Sequence, residues 1–407
     1  MHQLVSYRHE IIWGLLLIFL PFSTALINIA LVAGSLLFIY ESCAKKIPFA
    51  QPKTPFVVFF VLILFLSINA FVQGGFQENQ SFYRLYPLLI ATYFALINIS
   101  EKSIISIKKI SVFVAVSYVL ISACRIGIYY VQSNQKHLFG NSDVINHLLI
   151  LERPYAGCFA LINIVLLWDL FRTEKKNKKA FYLVTIIILT GFIILIAARL
   201  SLLSLLIIAA IYIVFYAKIN RRTALSLLLG IPLLFALSLL CSKGLQERLF
   251  VNKNFETFKD YEPRFVIWKG ATNVATSDTF HWVIGTGNYQ EIENKLIAHY
   301  EKIEGNPSKK AYYLAEKFNT HNQFIDLLLF GGVSALFIFL FVLGTLFVEF
   351  KEHFTALAIL LSLILFMLVE NIFHRQTGCY LFMIYLILAS KITSKNLDKF
   401  RLIPQNS

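Results

Sequence analysis

The chain has 407 residues, of which 57% are hydrophobic and only 15% are charged, and its mean hydropathy is +0.68. This composition excludes a water-soluble protein, because too little polar surface is available to cover a folded particle, and it predicts an all-α, polytopic membrane protein. The formal charge of +14 does not indicate nucleic-acid binding, since the basic residues lie mainly between apolar segments. The five cysteines have neither metal-site nor disulfide-framework spacing.

Apolar runs of the length that a bilayer requires recur along the chain. A hydrocarbon core about 30 Å thick needs roughly 17 to 25 apolar residues per helix. About twelve transmembrane helices are predicted, at 9–22, 24–41, 55–74, 83–99, 110–131, 154–171, 180–198, 200–217, 223–241, 322–349, 353–370 and 376–392. The first run lacks a small-residue cleavage site, so it is predicted to be retained.

Lys and Arg collect in alternate short connections, as expected for the cytoplasmic side of a membrane protein. These connections follow the predicted helices that end at 41, 99, 171 and 217, and a further basic group ends the chain. Both termini are therefore predicted to be cytoplasmic. The predicted organisation is nine helices in 1–241, a periplasmic loop in 242–320, three helices in 321–392 and a cytoplasmic tail in 393–407.

The long outer connection is predicted to be a small helical cap and not a linker. It contains no Pro/Gly/Ser-rich run, and its stretches "RFVIWKGATNVA" and "YQEIENKLIAHY" space their apolar residues as helices do. The "GTGNY" stretch at 285–289 predicts a tight turn, and it lacks the strand and the Gly-Lys-Ser/Thr sequence of a phosphate loop. The sequence shows no internal repeat, and it lacks the inverted pair of broken helices that is typical of a transporter site.

Arginines at predicted outer helix ends are the first candidate functional residues. Arg199 in "LIAARLSLLSLL" joins two apolar runs, and Arg84, Arg125 and Arg153 lie on the same predicted side. Each is either an interfacial anchor or part of a basic pocket for an anionic ligand, to which Arg offers bidentate contacts. Arg264 follows Pro263 at a predicted helix start, and it either pairs with Glu262 on the surface or accompanies an anion bound there.

His321 and Asn322 lie where the polar cap gives way to an apolar helix. Thr320 or Asn322 is a candidate helix cap, but capping does not explain the histidine. An imidazole with a pKa near neutrality, held at the membrane surface beside arginines, suits a general base toward a sugar hydroxyl. Gly331 and Gly332 would permit close approach of another helix. The last outer loop is either support for this site or a solvated loop, and it contains Glu370, Asn371, His374 and Arg375.

Together these features resemble the O-antigen ligase and polymerase superfamily. The resemblance lies in "AARLSLLSLL", "PRFVIWKGA", "GTGN" and "THNQFIDLLLFGGVSALF", and it spans about 197 to 337. It implies a GT-C-like membrane glycosyltransferase that uses an undecaprenyl-diphosphate-linked glycan and needs neither a cofactor nor a metal. Arg199 and Arg264 would bind the diphosphate, and His321 would activate the acceptor hydroxyl. Further predicted substrate contacts are Arg84, Arg125, Arg153, Trp268, Asn322, Glu370 and Arg375.

The sequence departs from the commonest family pattern at two places. Alanine precedes Arg199 where serine is usual, and "FGG" stands where an acidic residue before glycine is frequent. The resemblance favours a ligase, whose acceptor is a lipid A-core sugar, and leaves open a polymerase, whose acceptor is another lipid-linked repeat. A lipid-linked oligosaccharide flippase is the alternative from another class. A flippase should bury its cationic residues at mid-helix depth, whereas these arginines cluster near predicted outer ends.

Overall fold

The computed structural model describes residues 2–44, 53–75, 99–133, 142–174, 176–217, 262–303 and 307–401, with a few positions between 219 and 230. The described residues form α-helices with short π-helical and 3-10 turns and contain no strand, which confirms the predicted all-α class. The predicted helix at 83–99 lies almost entirely outside the described residues. Of the predicted helix at 223–241, residues 223–226, 228 and 230 are described and helical, and the others lie outside the described residues. Arg84 and the first part of the predicted cap, 242–261, also lie outside them.

Fourteen α-helices occur in the described part of the chain. They are α1 (His2–Phe19), α2 (Thr24–Cys43), α3 (Thr54–Val72), α4 (Glu101–Ser133), α5 (Ser142–Leu148), α6 (Arg153–Thr173), α7 (Lys176–Leu195), α8 (Arg199–Ile211), α9 (Pro263–Ala275), α10 (Tyr289–Glu301), α11 (Pro307–Glu316), α12 (Gln323–Phe350), α13 (Phe354–Met367) and α14 (Gln376–Arg401). A π-helical turn, Tyr212–Tyr216, follows α8, and a 3-10 turn, Ile372–His374, precedes α14.

Seven of the described helices are long and apolar enough to cross a membrane. They are α2, α3, α4, α6, most of α7, α8 with its π-helical turn, and α12, while α13 is a shorter apolar helix. Large apolar side chains on several of these helices face outward, among them Phe71, Phe113, Phe181 and Phe337. Such a belt suits contact with lipid and would be costly in water. The protein is therefore a multi-pass membrane protein.

Helix α6 lies at the centre of the helix bundle. It packs against α4, α7, α8 and α13, and 78% of the residues in its most apolar stretch are buried inside the protein. Its Asn163 accepts a hydrogen bond from Ser111 of α4 at 2.7 Å and donates one to Tyr385 of α14 at 3.0 Å. Because these buried polar groups satisfy one another, they fix the register of three helices that support the outer side of the protein.

Helix α4 begins at Glu101, nine residues before the predicted start at 110. The prediction treated the lysines in this region as a loop. Instead, Lys108 is buried within the helix and its Nζ lies 2.6 Å from Asp169 Oδ2 of α6. Thr355 of α13 donates to the other carboxylate oxygen of Asp169 at 2.8 Å. Pairing offsets the cost of burying the charge, so hydropathy alone placed the helix start too late.

Helix α12 is interrupted at Gly332, whose φ is 66° and ψ is −168°. The turn at 282–287 fits into this break. Its Thr286 and Gly287 amides donate to the carbonyls of Leu329 and Phe330 at 2.9 and 2.8 Å. In return, the amides of residues 333 and 334 donate to the carbonyls of residues 282 and 283. The turn lies slightly earlier than the predicted turn at 285–289 and overlaps it at 285–287. It satisfies the backbone groups that the break would leave unpaired. The prediction of close helix approach missed this role of Gly332.

The described part of the outer region contains three helices, α9, α10 and α11, as the apolar spacing predicted. Helix α10 packs against α9 and α11, and both α9 and α10 contact α12. Their shared core includes Ile267, Ile292, Leu296, Tyr300 and Tyr313. Helices α9 and α10 therefore pack on α12, and α11 packs on α10.

Candidate active site

A cavity of about 330 Å3 opens where helices α6, α8 and α9 begin. We call it the arginine cavity, because Arg153, Arg199 and Arg264 all line it. Its other lining residues include Ala197, Ala198, Ser201, Glu262, Val369 and Glu370. Three of the arginines predicted from the sequence thus come together, although they are far apart along the chain.

Each of these arginines lies in the first turn of a helix whose N-cap makes no side-chain hydrogen bond. The N-cap residues are Glu152 for α6, Ala198 for α8 and Glu262 for α9. The first amides of a helix lack intrahelical acceptors and carry a partial positive charge, which favours a nearby anion and disfavours a cation. Three helix starts without a hydrogen bond from the N-cap side chain, together with three guanidinium groups, therefore make this cavity suited to an anion.

Two carboxylates link the cationic groups of the cavity. Arg264 Nη1 lies 2.6 Å from Glu262 Oε1, and Arg199 Nη2 lies 3.8 Å from Glu262 Oε2. Arg264 also reaches Glu370, with Nη2 and Oε1 3.6 Å apart, and the carbonyl of Val369 at 3.3 Å. From the sequence, an ion pair between Arg264 and Glu262 on the protein surface was one of two alternatives. In the structure the two residues do pair, but they lie in the arginine cavity together with Arg199.

Glu370 connects the arginine cavity to His321. The Nδ1 atom of His321 lies 3.3 Å from Glu370 Oε2, and the side chain of the histidine is 27% exposed. When Nδ1 carries the proton and donates it to this carboxylate, Nε2 has a lone pair with which to accept a proton. The carboxylate thereby orients the imidazole, and it would stabilise an imidazolium formed by proton transfer to Nε2.

His321 ends a short segment, 317–321, that we call the strap. Both of its ends have positive φ values, 45° at Lys317 and 43° at His321. Such backbone is strained in residues other than glycine and persists only where the surroundings hold it. The strap is held at its carbonyls, because the Trp268 indole donates to Thr320 O at 3.0 Å and the Tyr300 hydroxyl donates to Phe318 O at 3.1 Å.

Asn322 fixes the strap to α12 and to the end of α13. As the N-cap residue of α12, it accepts hydrogen bonds from the amides of Phe324 and Ile325 at 2.9 and 3.1 Å. Its amide nitrogen donates to Leu368 O at 2.9 Å. Asn322 is therefore the cap of α12, while Thr320, the other candidate, is buried in a separate network.

Asp326 is the part of this region that sequence reasoning missed. It is buried, and its carboxylate contacts His374 Nε2 at 2.9 and 3.0 Å, the Tyr289 hydroxyl at 3.0 Å and Asn371 Nδ2 at 3.1 Å. Burial, followed by the Asp326 charge, raises the pKa of Tyr289 well above its usual value, so its hydroxyl remains a donor. A carboxylate in the first turn of an otherwise apolar helix was the available signal.

The remaining predicted contacts lie away from the arginine cavity. Arg125 is exposed on α4, and Arg375 forms an ion pair with Glu152. Trp268 and Asn322 hold the strap through the hydrogen bonds described above. Glu370 is the exception, because it lines the arginine cavity and also holds His321. Its role as a substrate contact stays a prediction.

Comparison with known families supports the resemblance found in the sequence. Residues 183–340 match the sequence model described as O-antigen ligase. This segment belongs to the O-antigen ligase superfamily. It runs from α7 into α12, and it therefore contains Arg199, Arg264 and His321. A comparison with curated proteins finds no match. The family assignment indicates a membrane glycosyltransferase of the O-antigen ligase and polymerase type.

Proposed function

We propose that the protein is an O-antigen ligase that transfers a glycan from undecaprenyl diphosphate to a sugar hydroxyl of lipid A-core. The reaction would occur at the periplasmic face of the bacterial inner membrane, with both chain termini in the cytoplasm. The observation that carries this proposal is the connection of an anion-binding cavity, through Glu370, to a histidine with one nitrogen available as a base.

The donor diphosphate would occupy the arginine cavity. Arg199 and Arg264 would contact its oxygens, and the exposed amides at the starts of α8 and α9 would add to the stabilisation. As the bond from the anomeric carbon to the diphosphate breaks, its electron pair goes to the leaving oxygen. Fixed positive groups then stabilise the charge that develops on the diphosphate, which is the main electrostatic contribution to such a transfer. To make room, Glu262 would release one arginine.

The acceptor hydroxyl would attack the anomeric carbon while His321 Nε2 removes its proton. Glu370 would hold the Nδ1 proton throughout and stabilise the imidazolium, which later returns its proton to water. General base catalysis of this kind typically contributes about 10²–10⁴ in rate. Membrane anchoring of both substrates would confine their encounter to the plane of the bilayer.

An enzyme is favoured over a flippase by the position of the cationic residues. The three arginines of the cavity begin helices instead of lying at their midpoints. The buried Lys108 is paired with Asp169 and does not line the arginine cavity. A transporter would need its cations along a path through the membrane.

Deletion of the gene tests the proposal and separates a ligase from a polymerase. Loss of a ligase should leave polymerised glycan on the lipid carrier and lipid A-core bare. Loss of a polymerase should still allow single repeats to reach lipid A-core, while long chains disappear. The separated glycolipids of the deletion strain therefore decide between the two, and unchanged glycolipids would refute both.

Complementation of the deletion strain then tests the catalytic residues. His321→Ala should reproduce the deletion phenotype at normal protein level in the membrane, whereas His281→Ala, which changes an exposed outer histidine, should restore transfer. Arg264→Lys should recover little activity, because an ammonium group cannot make the bidentate contact. Wild-type activity of either site variant would refute its assigned role.

Transfer should also survive a chelator, and strict dependence on a divalent ion would overturn the metal-independent mechanism.

Reporter fusions test the proposed orientation. A fusion at Lys176 should report the cytoplasm, and a fusion at Asn306 should report the periplasm. The same side for both positions would contradict the topology, because the arginine cavity would then face the wrong compartment for the proposed acceptor.

A further inference from the structure

A second cavity lies under the cap, on the other side of the strap from the arginine cavity. It has a volume of about 180 Å3 and lies between α10, the strap, Asp326 and His374. We call it the Asp326 cavity. Its volume is comparable with one monosaccharide ring and too small for a longer glycan.

The lining of the Asp326 cavity combines the groups that bind sugars. Tyr289 and Phe318 provide aromatic surface and Asn319 provides a polar side chain, while Thr320 and Asp326 are buried and hydrogen-bonded within the protein. Aromatic rings pack on the C–H faces of a sugar, and amide, hydroxyl and carboxylate groups pair with its hydroxyls. This mixture differs from the arginine cavity, which is cationic.

Two charged side chains of the Asp326 cavity make no polar contact with the described part of the chain. Glu293 on α10 and Lys317 on the strap both line it, and neither side chain makes a hydrogen bond or ion pair to another described residue. Glu293 is half-buried and Lys317 is exposed, so both side chains are accessible to solvent. They are therefore available to accept and donate hydrogen bonds to a ligand without breaking an existing contact.

His321 lies between the two cavities. Its Nδ1 atom contacts Glu370, which lines the arginine cavity. Its ring packs against Phe318, which lines the Asp326 cavity, with 5.6 Å between the ring centroids. In a direct displacement at an anomeric carbon, the nucleophile and the leaving group lie on opposite sides of that carbon. If the diphosphate lies in the arginine cavity, the acceptor hydroxyl must therefore approach the anomeric carbon from the opposite side, and it passes His321 as it does so.

We propose that the Asp326 cavity binds the acceptor monosaccharide, in a position to present its hydroxyl to His321. This inference rests on the proposed glycosyl transfer. Glu293 and Lys317 then bind hydroxyls of the acceptor and determine which sugar is accepted. Asp326 and His374 form the base of the cavity and hold its shape.

Kinetics of the purified full-length protein in lipid nanodiscs test this assignment. The donor is the undecaprenyl-diphosphate-linked glycan, and the acceptor is the glycolipid that remains unmodified in the deletion strain. We expect Glu293→Ala and Lys317→Ala each to raise the KM for the acceptor about tenfold, because each removes a charged hydrogen-bond partner. The KM for the donor should change less than twofold.

Two further variants complete the test. Glu301→Ala removes the same charge from the exposed end of α10, outside the cavity, and should leave both KM values unchanged. Glu293→Trp should fill the cavity and abolish transfer while the donor still binds. Wild-type acceptor KM values for Glu293→Ala and Lys317→Ala, together with full transfer by Glu293→Trp, would overturn the inference alone. Absence of transfer by the wild-type protein to either candidate glycolipid would instead overturn the proposed function, and this inference with it.

Discussion

Replacement of Gly332 by alanine should strongly destabilise the outer half of α12. At φ 66° and ψ −168°, an alanine costs about 1–3 kcal/mol in backbone strain. An added Cβ would also lie 2.3 Å from the carbonyl oxygen of Val283 and 2.6 Å from the Ile284 amide nitrogen, so the turn must move. That movement would weaken four backbone hydrogen bonds between the turn and α12, each worth about 0.5–1.5 kcal/mol. If all four bonds are lost, these costs together are about 3–9 kcal/mol.

The matched control is Gly344→Ala, in the second half of the same helix. An added Cβ at Gly344 meets no atom within 4 Å, so alanine should be neutral or slightly stabilising. Thermal unfolding of the two purified variants in one detergent, followed by tryptophan fluorescence, provides the measurement. We expect Gly332→Ala to unfold at a clearly lower temperature and to lose transfer activity. Equal midpoints for the two variants would refute the role of the turn in satisfying the break.

Three further changes test the site and its cap. Trp268→Phe removes the hydrogen bond to Thr320 O, which holds the strap that ends at His321. It should lower kcat about tenfold with little change in donor affinity. An unchanged kcat would show that the indole does not hold the strap. Glu262→Gln removes the competing carboxylate beside Arg264, so it should tighten binding of the donor diphosphate severalfold in an equilibrium binding assay, and weaker binding would contradict competition. His299 has a pKa lowered below 6.5 by burial and then by Lys269, so the unfolded cap binds a proton more readily than the folded cap. Acidification below about pH 6.5 should therefore lower the protection factors for hydrogen exchange in 263–303, which are corrected for the slower intrinsic exchange at low pH. His299→Gln should abolish that change, and the same pH response in the variant would assign it to other groups.

Hydropathy predicted the long apolar helices well, because these helices are apolar along their whole length on both their buried and their exposed faces. Helices α2, α3, α6 and α12 lie within about two residues of their predicted positions. The hydropathy criterion ended each predicted helix at the first charged residues. It therefore missed the first turns of α4, where Lys108 is paired with Asp169. It could not distinguish a paired charge from a solvated one, because the partner lies 61 residues away in the sequence.

The break in α12 shows a different limit of sequence reasoning. "FGG" in an apolar run is compatible with close helix packing, with a flexible point or with a break. The choice depends on the turn at 282–287, which supplies acceptors and donors for the broken helix. Asn69 of α3 also donates to the carbonyls of Ile284 and Phe330 at 2.7 and 3.1 Å, which ties the turn to the membrane helices. Only the tertiary arrangement shows that these groups meet.

The candidate site was predictable in its residue types but not in its electrostatics. The sequence indicated that arginines lie at helix ends, whereas the structure shows that three helix starts without side-chain caps converge with them. A cation at a helix N-terminus opposes the helix dipole, and buried guanidinium groups without partners are costly. Glu262 and Glu370 offset that cost in the absence of an anion. Since Glu370 also holds His321, an anion bound in the arginine cavity and the proposed proton transfer at the histidine would act on the same carboxylate. Donor binding would then draw Arg264 away from Glu370 and leave that carboxylate to His321, which would strengthen the base at the moment it is needed.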